Sequence, residues 1–329
     1  MSVNNQMASV GIVFIGRNEG ERLKNCVRSI AADRFPAVYV DSGSSDGSVE
    51  FCRTAGIAIV ALDLAKPFTA ARARNEGFQQ LLDRHPTIRY VQFIDGDCQL
   101  DSGWMARAQQ FLDENPNYAA VCGRRRELSP DASIYNKLCD IEWNTPHGTT
   151  ESCGGDVLMR VDAFVQVGGF NAQLIAGEEP ELCYRLRANG WQIMRLDAEM
   201  TLHDAQMHKF ASWWRRSKRA GYACANAVFL HGRSEERFFV RPLARILFWG
   251  CAFPLALLLA ALAHPLVLIL FLAYPLQMLR LIFKGPENLR TNIYWAFFLM
   301  IGKFSEFTGV LQCAYDQYLK RTAVLIEYK

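Results

Sequence analysis

What the chain lacks narrows its chemistry first. Ten cysteines are scattered from Cys26 to Cys313 with no Cys-x-x-Cys pair and no Cys/His spacing of the zinc type, so free, buried thiols are expected. No Gly-x-Gly-x-x-Gly follows the first strand-like run and no Gly-x-x-x-x-Gly-Lys loop is present, so a dinucleotide fold or a P-loop kinase would lack its phosphate cradle. One-sided charge is also missing: 36 Lys and Arg against 33 Asp and Glu in 329 residues argue against a nucleic-acid partner. Met1 to Ser9 carries no basic cluster followed by an apolar run, so neither a secretion signal nor an anchor is expected there. From Ile246 to Leu279 there is no charged side chain at all, a run too long for an ordinary core helix.

What is present begins as a regular alternation. Val10 to Ile15, Ala37 to Val40, Ile57 to Leu62, Ile88 to Ile94 and Tyr118 to Cys122 read as strands, separated by stretches of helical spacing that Thr69 and Ser102 can cap. Strands alternating with helices predict an α/β fold with a mostly parallel sheet, ligands lying beyond the carboxyl ends of the strands. Glu19, Asp41 and Asp95 to Asp97 follow strands one, two and four, and can reach one crevice. Arg124 to Ser152 reads as irregular and flap-like, Cys153 to Arg160 as an inner strand, and Trp191 to Leu196 as another, with His203 a few residues past it.

Asp95-Gly96-Asp97 is the centre of this reading. Two carboxylates on a turn can hold Mg²⁺ or Mn²⁺ against a diphosphate; the alternative is a solvated turn using Asp and Gly for their backbone habits. Arg72 and Arg74 can add guanidinium contacts to phosphate, or be two exposed arginines of a surface helix. Pro180 and Gly190 bracket a helix, which puts Glu179 at or next to its N-cap, where the dipole favours the ionised form a general base needs; an acidic first turn placed for the dipole alone is the other reading. His203, with His208 as competitor, is a candidate metal ligand. The basic aromatic stretch from Trp213 to Arg219 can meet lipid headgroups, stack on sugar or pair with diphosphate.

His264-Pro265 divides the charge-free run into two halves of about seventeen residues, each roughly 26 Å long as a helix. Arg233, Arg237, Arg241 and Arg245 precede it, and Arg280, Lys284 and Arg290 follow. Basic residues at both ends predict a hairpin with both ends in the cytoplasm, a shallow re-entrant hairpin being the competing topology. Asn292 to Val310 reads as an interfacial amphipathic helix.

Taken in order, Arg17-Asn18-Glu19, Asp41-Ser42-Gly43-Ser44-Ser45-Asp46-Gly47, Ala71-Arg72-Ala73-Arg74-Asn75-Glu76-Gly77, Asp95-Gly96-Asp97, Val167-Gly168-Gly169-Phe170 and Gly177-Glu178-Glu179 resemble the membrane-associated bacterial type of family 2 glycosyltransferase, with the GT-A fold, over Val10 to about Tyr222. The resemblance implies an inverting transferase taking a nucleotide sugar, uridine diphosphate being the expected carrier and guanosine diphosphate the alternative, with Mg²⁺ or Mn²⁺. It implies a nucleotide-sugar site of Arg17, Glu19, Asp41, Asp46, Arg72, Arg74 and Asp95, and metal ligands Asp97, Asp95 and His203. The base would be Glu179, where the family usually has Asp, with Glu178 its competitor. Gly155, Asp156, Trp214, Arg216 and Arg219 would meet acceptor or diphosphate. The Gln-x-x-Arg-Trp of processive synthases is absent, Arg216-Ser217-Lys218-Arg219-Ala220 being its nearest counterpart, which argues against processive polymerisation.

The expected division is a glycosyltransferase domain over 1–230, a basic linker over 231–245, a membrane hairpin over 246–283 and an amphipathic region over 284–329. The expected acceptor is a lipid or lipid-linked saccharide at the cytoplasmic face of the inner membrane, as in exopolysaccharide or glycolipid assembly. A polyprenyl-phosphate transferase, a sugar nucleotidyltransferase and a non-catalytic membrane scaffold are the alternatives.

Overall fold

The computed structural model describes residues 9–30 and 34–319; the polar N-terminal stretch and the end of the amphipathic region fall largely outside them. The chain forms two compact units, Met1–Pro130 with Glu142–Gln206, and Asp131–Ile141 with Met207–Lys329.

Among the described residues of the first unit, nine strands form one sheet: β1 (Val10–Gly16), β2 (Ala37–Asp41), β3 (Ala58–Ala61), β4 (Tyr90–Asp95), β5 (Cys98–Leu100), β6 (Tyr118–Glu127), β7 (Gly148–Thr149), β8 (Val157–Arg160) and β9 (Gln192–His203). Their order is β3-β2-β1-β4-β8-β6-β9-β5, with β7 also pairing β9. Side chains of β1 alternate between two buried clusters, Ile12 and Phe14 on one face and Val13 and Ile15 on the other, which is why the strand reads as a continuous apolar run.

The sheet is mixed rather than mostly parallel. β1–β2, β1–β4, β2–β3 and β6–β9 run parallel, whereas β4–β8, β6–β8, β5–β9 and β7–β9 run antiparallel. Every antiparallel pair includes one of the short strands β5, β7 and β8, which carry too few residues to show a period. The stretch read as a flap instead extends β6 through Glu127, then gives the helix Ile134–Trp143 and β7.

Thr69 caps the helix Ala70–Arg84, its hydroxyl accepting from Arg72 N at 3.0 Å. A Cβ on Gly77 of this helix would lie 2.6 Å from both Val13 and Val40, so the missing side chain lets the helix press onto β1 and β2.

The second unit is helical. Two apolar helical stretches, Val240–Ala261 with 22 residues and Pro265–Lys284 with 20, are long and apolar enough to cross a membrane. A π-helical turn at Phe248–Ala252 precedes Pro254, which has no N–H to continue the ladder. The helix expected over 292–310 is longer, Leu289–Tyr318, and one of its faces is packed within the unit. A Cβ on Gly309 would stand 2.0 Å from Lys218 O, and one on Gly221 2.0 Å from Glu306 O, so this helix and Phe210–His231 touch backbone to backbone. Ser305 Oγ donates to Trp214 O at 2.6 Å across the same contact. Gly309→Leu should therefore destabilise this unit by about 3 kcal/mol, whereas Leu311→Ala on the exposed face should change little, as read by thermal unfolding in detergent.

Candidate active site

Register places the acids. β1 pairs Gly16 with Asp41 of β2 and Ile15 with Asp95 of β4, setting both carboxylates at the carboxyl end of the sheet beside the loop that carries Glu19. β4 ends at Asp95 and β5 starts at Cys98, so Asp95-Gly96-Asp97 is the link between them. β9 then pairs His203 with Cys98 on one side and with Glu127 of β6 on the other.

Asp97 and His203 are both buried, and Asp97 Oδ2 lies 3.3 Å from His203 Nε2. Behind the ring, Glu127 Oε2 is 3.8 Å from Nδ1, which has no hydrogen-bond partner, and Trp143 packs edge-on at 4.8 Å. Burial, with Arg125 next, pushes the imidazole pKa below its ordinary value, leaving the ring neutral at neutral pH. A tautomer with the proton on Nδ1, toward Glu127, would turn the Nε2 lone pair to the Asp97 carboxylate, and those two acceptors could then hold a cation between them. Cys98 completes the cluster, but burial holds its thiol protonated, with a pKa well above ordinary. A carboxylate and an imidazole remain, a donor pair that suits Mn²⁺ and accepts Mg²⁺.

The neighbouring cluster of Asp95, Cys98 and Asp156 does not fit an ion in the same way, because Arg125 fills it. Its Nη2 is 3.2 Å from Asp95 Oδ2 and 3.3 Å from Cys98 Sγ, its Nε is 3.4 Å from Asp156 Oδ2, and its guanidinium lies 5.0 Å from the Trp143 ring centre. Asp156 also accepts from Asp95 N at 3.1 Å and from Thr201 Oγ1 at 2.7 Å. Asp97→Ala should accordingly weaken Mn²⁺ binding tenfold or more in titration calorimetry, while Thr201→Val, which touches only the arginine-filled cluster, should leave it within about threefold.

The helix Glu178–Ala188 opens after Gly177, whose φ of 77° lies in the left-handed region. Glu178 and Glu179 are its first two residues and Pro180 its third, a shift from the expected first position that still leaves both carboxylates at the positive end of the dipole. Arg74 meets them from the helix pressed onto the sheet by Gly77. Its Nη2 donates to Asp95 Oδ1 at 2.8 Å, and its Nη1 to Glu178 Oε1 at 3.0 Å and Glu179 Oε1 at 3.3 Å. A Cβ on Gly155 would lie 2.3 Å from Arg74 Nη2, so only glycine admits the guanidinium there.

One buried arginine thus joins the Asp-x-Asp turn to the acidic helix start. The Glu178 side chain is 4 % exposed and that of Glu179 20 %. Burial, and then the Glu178 charge, raises the Glu179 carboxyl to about 7 in spite of Arg74. Burial alone would also raise Asp95, but Arg74 and Arg125 hold it well below the usual carboxylate range.

Comparison with known proteins finds likenesses to this arrangement. Residues 11–163 match the model of glycosyl transferase family 2. The matched segment holds β1 to β4, the Asp-x-Asp turn and Asp156. Over that segment the chain is similar to family 2 glycosyl transferases. Glycosyltransferase AglE of Haloferax volcanii is 21 % identical over 243 residues, covering 70 % of this chain and 77 % of that protein. The mannosyltransferase PcManGT of Pyrobaculum calidifontis, solved in complex with GDP-Man and Mn²⁺, superposes with a TM-score of 0.62 at 18 % identity over 94 % of this chain and 88 % of that one. TarS 1-349 of S. aureus gives 0.52 at 14 % identity over 94 % and 92 %. These likenesses make the fold GT-A-like, and sugar transfer is the general activity that goes with the family match.

Around this site, the other residues nominated from the sequence fall into three groups. Asp41 is buried, accepting from Gly43 N at 2.9 Å, Ser44 N at 3.0 Å and Tyr39 Oη at 3.2 Å. Asp46 accepts from Gly20 N at 2.9 Å and Ser48 N at 3.1 Å, tying the loops after β1 and β2, where Arg17 is exposed and Glu19 faces Arg22 at 2.6 Å. Arg72 stands apart from the acids: it pairs with Glu76 at 2.7 Å and donates to Asp63 O at 3.0 Å, bracing the loop ahead of its helix. Arg74 is not an exposed surface arginine, since it is buried within the acidic cluster. Trp214, Arg216 and Arg219, half-buried on Phe210–His231, and the competing His208 belong to the second unit. Arg125, Glu127, Trp143 and Thr201 are the site residues that sequence reasoning missed. The signal for Arg125 was the excess of carboxylates at the strand ends, which need buried cations.

Proposed function

We propose that the protein is an inverting glycosyltransferase that moves a sugar from a nucleoside diphosphate carrier to a hydroxyl of a lipid or lipid-linked saccharide at the cytoplasmic membrane face. The observation that carries this reading is the Arg74 bridge, which sets a carboxylate able to take a proton beside the Asp-x-Asp turn. Glu179 is the base: it is the more open of the two acids, and its carboxyl pKa of about 7 matches proton transfer near neutral pH. It would take the proton of the acceptor hydroxyl as that oxygen attacks the anomeric carbon from the face opposite the leaving group. Glu178, ion-paired deep in the cluster, holds Arg74 and raises Glu179. Asp97 and His203 would hold the divalent ion, whose chemistry there is to neutralise the departing diphosphate. Asp41 and Glu19 would line the nucleoside pocket, with Asp95 at the ribose side.

The membrane acceptor is supported by the two apolar stretches and their basic flanks, which put both ends on the cytoplasmic side if the pair crosses as a hairpin. Incubating the full chain in detergent with a labelled donor and membrane lipid extract tests this reading. Uridine and guanosine carriers both belong in the panel, given the GDP-Man in the mannosyltransferase of similar fold. Label should move to the organic phase with inverted anomeric configuration; retention of configuration, or label staying in water under every acceptor, would contradict it.

A further inference from the structure

Cys153 and Cys183 lie thirty residues apart in sequence, yet their sulfurs stand 3.4 Å from each other. Cys153 opens the segment Cys153-Gly154-Gly155-Asp156 and is partly exposed, between exposed Ser152 and Gly154. Cys183 is fully buried on the helix that begins with Glu178 and Glu179. The mechanism uses neither thiol. By contrast Cys26, Cys52, Cys98 and Cys122 are buried within the same unit.

We propose that Cys153 and Cys183 form an oxidisable dithiol, converted by a peroxide to a disulfide that clamps the Gly154-Gly155-Asp156 segment to the base-bearing helix. The Cys153 sulfur attacks the peroxide O–O bond, giving a sulfenic acid and one water; the Cys183 sulfur then attacks the sulfenic sulfur, forming the S–S bond and releasing a second water. Two thiol protons and two electrons pass to the peroxide, which balances the reaction. Cys153 makes the first attack because it is the sulfur that solvent reaches, although its hydrogen bond with Cys183 and then burial push its own thiol well above the ordinary pKa; the same hydrogen bond draws the Cys183 thiol below its ordinary value, which favours the second attack.

Closure from 3.4 Å to a bond length of about 2.05 Å brings the two sulfurs together by more than an ångström, and the bond then fixes the segment to the helix. Gly155 already lies against Arg74 and Asp95, so any shift of the clamped segment would reach the guanidinium that sets Glu179. A misplacement of that size at a reacting group costs on the order of 10²-fold in rate.

The proposal rests on the functional reading only for the effect of the clamp; the bond itself is detected by mass. The full chain in detergent is titrated with hydrogen peroxide, alkylated, digested and mapped, with donor hydrolysis assayed in parallel. The expected result is a Cys153–Cys183 cross-linked peptide, hydrolysis lowered tenfold or more, and recovery with dithiothreitol, while Cys153→Ser and Cys183→Ala keep basal activity and lose the sensitivity. Absence of the cross-linked peptide overturns the proposal, as does an equal loss of activity in wild type and both variants. If, with lipid extract supplied, no donor releases its nucleoside diphosphate before peroxide is added, the functional reading fails, and the dithiol is then judged on the cross-link alone.

Discussion

Glu179→Gln should lower sugar transfer by about 10²- to 10⁴-fold, the range in which a positioned base contributes. Glutamine keeps the shape and the contact with Arg74 but cannot take a proton. The wild-type rate should rise with pH through about 7, because burial and Glu178 raise the Glu179 carboxyl to that value and only its deprotonated form is a base. That rising limb should be missing from the variant. Glu179 faces Arg74, Glu178 and, through Arg74, Asp95, so the limb reports their joint charge and not one isolated acid. The stability sign runs the other way: a carboxyl pKa raised above its unfolded value of 4.5 favours folding at low pH, and that contribution is lost as pH rises through about 7. Glu179→Gln should therefore unfold no earlier than wild type at pH 8, which separates lost chemistry from lost structure. Glu178→Gln should reduce the rate less. Equal losses for the two, both with the rising limb intact, would move the base elsewhere.

Arg74→Met should destabilise the first unit by about 3–5 kcal/mol, the usual result of removing one partner from a buried ion pair. Arg74 is 2 % exposed and touches Asp95, Glu178 and Glu179, so methionine would leave three carboxylates with their compensating charge withdrawn. The loss should be greater at pH 8 than at pH 5, since protonation relieves carboxylates whose cation has gone. Adding Glu178→Gln should recover part of it. Chemical denaturation of the four proteins measures both effects; additive losses in the double variant would mean that Arg74 and Glu178 do not act as one unit.

Much of the site was legible because its acids end strands that are apolar throughout. Val38 to Val40 and Tyr90 to Ile94 are buried, so Asp41 and Asp95 follow runs that read as strands and their convergence could be read from the alternation. β9 was less readable. Its Arg195, Asp197 and Glu199 break the apolar pattern, so the strand was cut at Leu196 and His203 was left outside, whereas it is the last residue of that strand, opposite Cys98 and Glu127. Arg124 to Glu127 failed for a related reason: a charged run signals solvent, and only the sheet shows that Arg124 and Glu127 are buried and Arg125 is enclosed by Asp95, Asp156 and Trp143. Arg74 was read as a phosphate contact or a surface residue, because an arginine in an alanine-rich helix gives no sign of which face it occupies. The long helix Leu289–Tyr318 looked amphipathic because Lys303 and Glu306 interrupt it, but those two pair with each other at 2.6 Å while Gly302, Ser305 and Gly309 are buried.

The central claim is that Asp97 serves metal-dependent sugar transfer from a nucleotide carrier. Release of nucleoside diphosphate tests it most directly, with purified full chain in detergent, Mn²⁺ or Mg²⁺, and a panel of sugar nucleotides supplied with lipid extract. The account predicts release from one donor, abolished by EDTA and restored by added Mn²⁺, and reduced at least 10²-fold in Asp97→Ala. Release that continues undiminished in EDTA and in Asp97→Ala would contradict it.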